Sequence, residues 1–149
     1  MIEVTMRVPT SPEQVFSVLA DGWTYAGWVV GASHIREVDS GWPGEGTGIH
    51  HSVGPWPLLV HDMTVVHAVE PPRMLELEAR LWPFGAARIR LELTEVAPNV
   101  TEVRMLERAV RGPGRLLPEP VQTLLLVPRN RESLRRLAHM AAGRQGLAD

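Results

Sequence analysis

Residues 46–62 read GTGIHHSVGPWPLLVHD and hold three of the chain's six histidines, His50, His51 and His61, with Asp62 at the end. Imidazoles beside a carboxylate suit two kinds of chemistry, metal ligation and proton transfer. The spacing speaks against a metal. Adjacent residues of an extended chain point to opposite faces, so His50 and His51 do not converge on one ion. His61 and His67 share a face but stand roughly 20 Å apart at a strand rise of about 3.3 Å per residue. There is no HExxH and no cysteine, which removes thiolate sites, disulfides and cysteine nucleophiles together. No metal and no cofactor is expected. A GxSxG elbow is absent. GEGTG (44–48) precedes a strand pattern rather than opening a helix, so it does not read as a dinucleotide loop. What remains is acid–base or hydrogen-bonding chemistry, or an ordinary hairpin that carries histidines.

The elements that must position these residues are legible in outline. MIEVTMRV alternates, with Ile2, Val4, Met6 and Val8 on one face of a strand. TSPEQVFSVLAD predicts a helix, with Ser11 as N-cap, Pro12 in the first turn and Gln14 at the capping-box position. WTYAGWVVGAS predicts a second, short helix. Strands follow near 34–39, 47–53, 58–69, 73–81, 86–96 and 101–110, separated by Gly- and Pro-rich turns, a spacing that predicts an antiparallel meander. The last element, 119–143, shows Val121, Leu124, Leu125, Leu134, Leu137, Ala138 and Ala141 at helical intervals. Pro128 is expected to start, kink or interrupt it, and Arg129, Arg131, Arg135 and Arg136 to form its wet side. One domain over 1–149 is expected, an α+β fold in which a seven-stranded antiparallel sheet wraps around the long C-terminal helix.

Composition narrows the function classes. The chain has 149 residues, 44% of them apolar, and a net charge of −2, which gives no support to nucleic-acid binding. No apolar run is long enough to span a bilayer and no signal peptide is visible, so a cytoplasmic location is the default expectation. Every basic residue is arginine, read as codon bias in a GC-rich, bacterial genome.

Four stretches carry a family likeness: VPTSPEQVFSVLAD, GWVVGASHIREVDSGWPGEGT, VEPPRMLELEARLWP and NRESLRRL. With this element order, the chain resembles the START-like superfamily, also called polyketide cyclase/dehydrase and lipid-transport (SRPBCC) proteins, over essentially its whole length. The resemblance implies the helix-grip fold and a hydrophobic cavity between sheet and helix. It is nearly silent on activity, because members include lipid carriers, hormone receptors and aromatic cyclases, and fold does not imply function.

Pattern alone does not decide which face of 60–67 points inward. The superfamily usually keeps small or β-branched residues inward there, which implies that Asp62 and Thr64 face the cavity. On the preceding strand Ile49, His51 and Val53 are the more apolar face. His51 and Asp62 then meet across the hairpin, where the carboxylate favours a charged imidazolium and fixes the ring. A slip of one residue would turn His50 and Ser52 inward instead. Val103, Met105, Glu107 and Ala109 face in from the last strand, while Leu77, Ala79, Ala87, Ile89 and Leu91 form an apolar wall. Trp28, Trp56, Trp82 and Tyr25 add aromatic contact. His51, Asp62 and Glu107 are the candidate catalytic groups. The candidate ligand contacts are Trp28, His51, Trp56, Asp62, Thr64, Leu77, Trp82, Ile89, Leu91, Met105 and Glu107. VRGPGRLLPEP and the loops around Trp56 and Trp82 are expected at the cavity mouth.

The favoured reading is a binding module for a small apolar or aromatic, polyketide- or lipid-like molecule. A cyclase, dehydratase or isomerase using one of these groups as acid or base comes second. A non-catalytic interaction or regulatory protein comes third. A monomer or a homodimer is expected.

Overall fold

In the computed structural model, which describes residues 1–53, 60–81 and 85–148, the chain forms one seven-stranded sheet and a long helix. Strand β1 (Ile2–Val8) leads into helix α1 (Pro12–Leu19), a single 3-10 turn and the short helix α2 (Tyr25–Trp28). The strands β2 (Ala32–Val38), β3 (Gly48–Val53), β4 (Val60–Glu70), β5 (Met74–Leu81), β6 (Gly85–Ala97) and β7 (Val100–Arg111) follow, then helix α3 (Glu119–Ala148). The sheet order is β1-β7-β6-β5-β4-β3-β2, with every pair antiparallel.

Local chemistry accounts for the element ends. Ser11 Oγ accepts from the Gln14 N–H at 3.3 Å and Pro12 occupies the first turn of α1, satisfying one of the orphan donors of a helix start. The turn at Glu70–Arg73 closes with Arg73 N–H donating to the Glu70 carbonyl at 2.7 Å. Gly85 opens β6 at φ +113°, and a Cβ placed there would collide with the Arg111 carbonyl oxygen. That close approach of β6 to the end of β7 requires a glycine.

The concave face of the sheet grades from large side chains to small ones. One row across the strands runs Val69, Leu75, Leu91, Met105, Val4. The next runs Val66, Leu77, Ile89, Glu107, Ile2. The third runs Thr64, Ala79, Ala87, Ala109. Over the large rows the C-terminal half of α3 packs down, with Leu134, Leu137 and Ala141 at 1% exposure or less. Burying a leucine of that kind stabilises the fold by about 1.5–3 kcal/mol.

Two sequence expectations for α3 are corrected. The helix continues through Pro128 rather than starting or breaking there. Its first half does not share the buried face: Val121, Leu124 and Leu125 are exposed, together with Leu116 and Leu117 before it. Helical periodicity marks a face, but only the sheet beneath decides which turns of that face are covered. The convex side of the sheet is charged, with Glu3–Arg104, Arg90–Glu92 and Arg111–Glu78 ion pairs at 2.6–2.9 Å. No helix among the described residues is long and apolar enough to cross a membrane.

Candidate functional site

Two cavities lie where the small-residue row faces the first half of α3. The first, about 260 Å³, is lined by Tyr25, Val29, Val30, Gly31, Ala32, His51, Ala79, Leu126 and Arg129. The second, about 130 Å³, is lined by Gly85, Ala86, Ala87, Glu107, Ala109, Gly114, Leu117, Gln122, Leu125, Leu126 and Arg129. Leu126 and Arg129 belong to both walls, so these two side chains of α3 partition one larger space. Gly114 and Leu117 place the segment after β7 at the edge of the second cavity, where the sequence put the mouth. Trp56 and Trp82 lie outside the described residues.

The register of the hairpin is the one expected. His51 pairs with Asp62, Ile49 with Thr64 and His50 with Met63. His51 faces inward at 2% exposure. His50 lies on the opposite face, its Nε2 at 3.2 Å from Asp39 Oδ1. The partner of His51 differs from expectation. Its Nε2 lies 2.8 Å from Thr64 Oγ1, and Thr64 Oγ1 lies 2.9 Å from the Tyr25 hydroxyl. The Tyr25 ring stacks on the His51 ring, centroids 5.5 Å apart, and Trp28 meets Tyr25 edge-on at 5.6 Å. Asp62 instead accepts from the Met63 N–H through Oδ1 at 2.9 Å. The protonation expectation is reversed as well. Burial holds the His51 ring below the usual imidazole range, Arg36 and His50 reinforce this, and the attraction of Asp62 opposes it without prevailing. His51 is therefore a neutral imidazole at neutral pH. Burial also pushes the Tyr25 phenol up, against the pull of the Thr64 hydrogen bond and of Arg129, so Tyr25 keeps its proton.

Glu107 faces inward at 2% exposure. Its partners come from α3: Asn130 Nδ2 donates to Oε1 at 2.8 Å, and Arg129 Nη1 lies 3.5 Å from Oε2. Arg104, close to it on the same strand, is on the opposite face with Glu3. Arg129, expected on the wet side of α3, turns inward and also donates through Nε to the Val30 carbonyl at 3.1 Å. It ties α3 to the α2–β2 turn and to the sheet.

Of the other expected contacts, Leu77, Ile89, Leu91 and Met105 are at 4% exposure or less and line neither cavity. They are core under the second half of α3. Trp28 is likewise core, at 3% exposure, and braces Tyr25. Thr64 is fully buried and acts through its hydrogen bonds. Sequence reasoning left Leu126, Arg129 and Asn130 out of the site, and it placed Ala79 and Ala87 in the apolar wall but not among the ligand contacts. Only the small size of the two alanines hinted at an opening.

Comparison with solved structures places this arrangement among known folds. A START superfamily protein from Mycobacterium smegmatis superposes at TM-score 0.68, with 18% identity over 99% of this chain and 98% of the other. The Zhui aromatase/cyclase from Streptomyces sp. R1128 superposes at 0.68, with 18% identity over 96% and 93%. A conserved protein from Geobacillus kaustophilus superposes at 0.70, with 13% identity over 95% and 94%. At such identities the likeness is one of fold. Comparison with curated protein sequences gave no match. Residues 1–141 match the family described as polyketide cyclase / dehydrase and lipid transport, and with its helix-grip fold and its cavities under α3 the chain belongs to that family.

Proposed function

We propose that the protein binds one small apolar or aromatic molecule, polyketide- or lipid-like, in the space between the small-residue row of the sheet and the first half of α3. One observation carries this reading. Two cavities of about 260 and 130 Å³ share Leu126 and Arg129 and open between the alanine row of the sheet and the first half of α3. The surroundings are otherwise apolar with few polar groups, the usual make-up of a small-molecule site. The third reading, an interaction surface on the outer sheet, has less support because that face carries ion pairs rather than an apolar patch.

A catalytic role in a cyclase- or dehydratase-type reaction is the second reading, favoured by the neutral His51 ring. Glu107 is the weaker candidate for a base, since Asn130 and Arg129 already occupy its oxygens. Asp62 stands beside His51 as an electrostatic neighbour. Native mass spectrometry of protein purified from its own host tests the binding reading, the expected result being a co-purified small molecule that is lost in an Ala79→Trp variant. Ligand retained at full occupancy by that variant would place binding elsewhere.

A further inference from the structure

The convex face of β5, β6 and β7 sets two arginines side by side. The strand register puts Glu78, Arg88 and Arg108 in one row and Glu76, Arg90 and Leu106 in the next. Arg88 and Arg108 are thus direct neighbours across β6 and β7, where like charges repel. The nearby acids do not relieve them. Glu78 gives Oε2 to Arg111 at 2.6 Å, and its Oε1 is 3.7 Å from Arg88 Nη2, too far for a hydrogen bond. Glu76 and Glu92 lie with Arg90, at 3.8 and 2.9 Å. No acid among the described residues forms an ion pair with Arg108. Arg88 is packed in, with 24% of its side chain exposed, so its guanidinium is placed before any ligand arrives.

Both arginines border a hollow of about 190 Å³, which Met1, Glu76, Arg90 and Leu106 also line. Glu107 touches its floor, but that carboxylate turns inward to Asn130. Arg88, Arg90 and Arg108 against Glu76 leave a surplus of two positive charges here, in a chain whose net charge is −2. We propose that this hollow binds a small, soluble phosphate monoester, with Arg88 and Arg108 gripping the phosphate and Leu106 beside its organic group. The planar fork of arginine takes phosphate oxygens in pairs. A phosphate monoester carries about −1.5 to −2 charges at neutral pH, which the surplus balances. A monocarboxylate leaves half of that surplus standing. The site lies on the far side of the sheet from the cavities under α3 and does not depend on what they hold.

The test titrates the whole protein with phenyl phosphate and with benzoate by calorimetry, at neutral pH and one ionic strength, so that screening is equal. Phenyl phosphate should bind more tightly by about ten-fold or more. Arg108→Gln should lose that binding by a similar factor, while its thermal midpoint without ligand stays level or rises because a repulsion has gone. Glu76→Gln should bind phenyl phosphate more tightly than the unaltered protein. Arg104→Gln, on the same face but outside the hollow, should bind it unchanged. Failure of phenyl phosphate to bind, equal affinity for the two probes, full affinity in Arg108→Gln or no gain in Glu76→Gln overturns the proposal. An equal loss in Arg104→Gln overturns it too, by showing diffuse attraction to a charged face. Vesicles of phosphatidylcholine carrying phosphatidic acid separate a lipid headgroup from a free ester. The protein should stay in the supernatant, and co-sedimentation abolished by Arg108→Gln would overturn the free ester in favour of the headgroup.

Discussion

The two halves of α3 lie on the same sheet yet meet different surfaces. The second half rests on rows of Leu75, Leu77, Ile89, Leu91 and Met105 and seals Leu134 and Leu137 completely. The first half faces Ala79, Ala87 and Ala109 and leaves room for two cavities. The same strands pair through both regions, with register shifts at Val66/Ala68 and at Ala86/Ala87. The difference is made by side-chain volume at every second position of three strands. A sheet that would otherwise make one filled core makes a core at one end and a container at the other.

The comparison can be broken most severely at the closed end. Leu137→Ala should lower unfolding free energy by about 2–5 kcal/mol, measured by denaturant titration, and a loss below 1 kcal/mol, roughly that of an exposed site, would show that the two ends are packed alike. Between the ends stands Glu107, which holds Asn130 and Arg129. Glu107→Gln removes the charge that Arg129 faces. Removal of one partner of a buried pair costs about 3–5 kcal/mol, but Arg129 is one-quarter exposed and water offsets part of that, so about 1–3 kcal/mol is expected. An unchanged midpoint would mean that the pair does not fasten α3. At the open end, Ala79→Leu should weaken ligand binding at least ten-fold, about 1.4 kcal/mol. Because it fills a void, it should cost less stability than the about 1–3 kcal/mol of overpacking a filled core. A large loss of stability with binding intact would show that the row is tightly packed after all.

The smallest effect is the pH dependence carried by His51. Its folded-state pKa lies below the ordinary imidazole value of 6.5, so below that pH the unfolded chain binds more protons at this position than the folded one. Stability from this group is full above about pH 6.5 and declines as pH falls toward the folded pKa. Asp62 tempers the effect, while Arg36 and His50 add to it. His51→Gln should therefore lose less stability than the unaltered protein between pH 7 and 5, and identical profiles would contradict a neutral buried ring.

Several of these features are legible in the sequence alone. The alternation of β1, the Ser11-Pro12 helix start and the inward turn of Glu107 follow from period and turn chemistry, whereas setting His51 against Asp62 also takes the family resemblance, which chooses the inward face of β4. Thr64 as the actual partner of His51 follows from neither, because residues 62 and 64 share a strand face, and parity cannot say which of them a ring nitrogen reaches. Arg129 looks like Arg131, Arg135 and Arg136. Only Glu107, 22 positions away in sequence, distinguishes it. Asn130 is unreadable for the same reason. Polar residues on an amphipathic helix are taken as wet unless a buried carboxylate waits for them.

The partition formed by Leu126 and Arg129 has a consequence for what this container can learn to hold. A wall made of backbone changes only by refolding, whereas this one consists of two side chains rooted in a single helix turn. Arg129 is held by Val30 and Glu107, but rotation of Leu126 about its two χ angles redraws the partition, at a cost on the order of 1 kcal/mol when the side chain leaves its preferred rotamer. The same sheet can thus present two short compartments or one long one. A single substitution at position 126 would fix the choice permanently, making capacity one of the most readily inherited variables in the architecture.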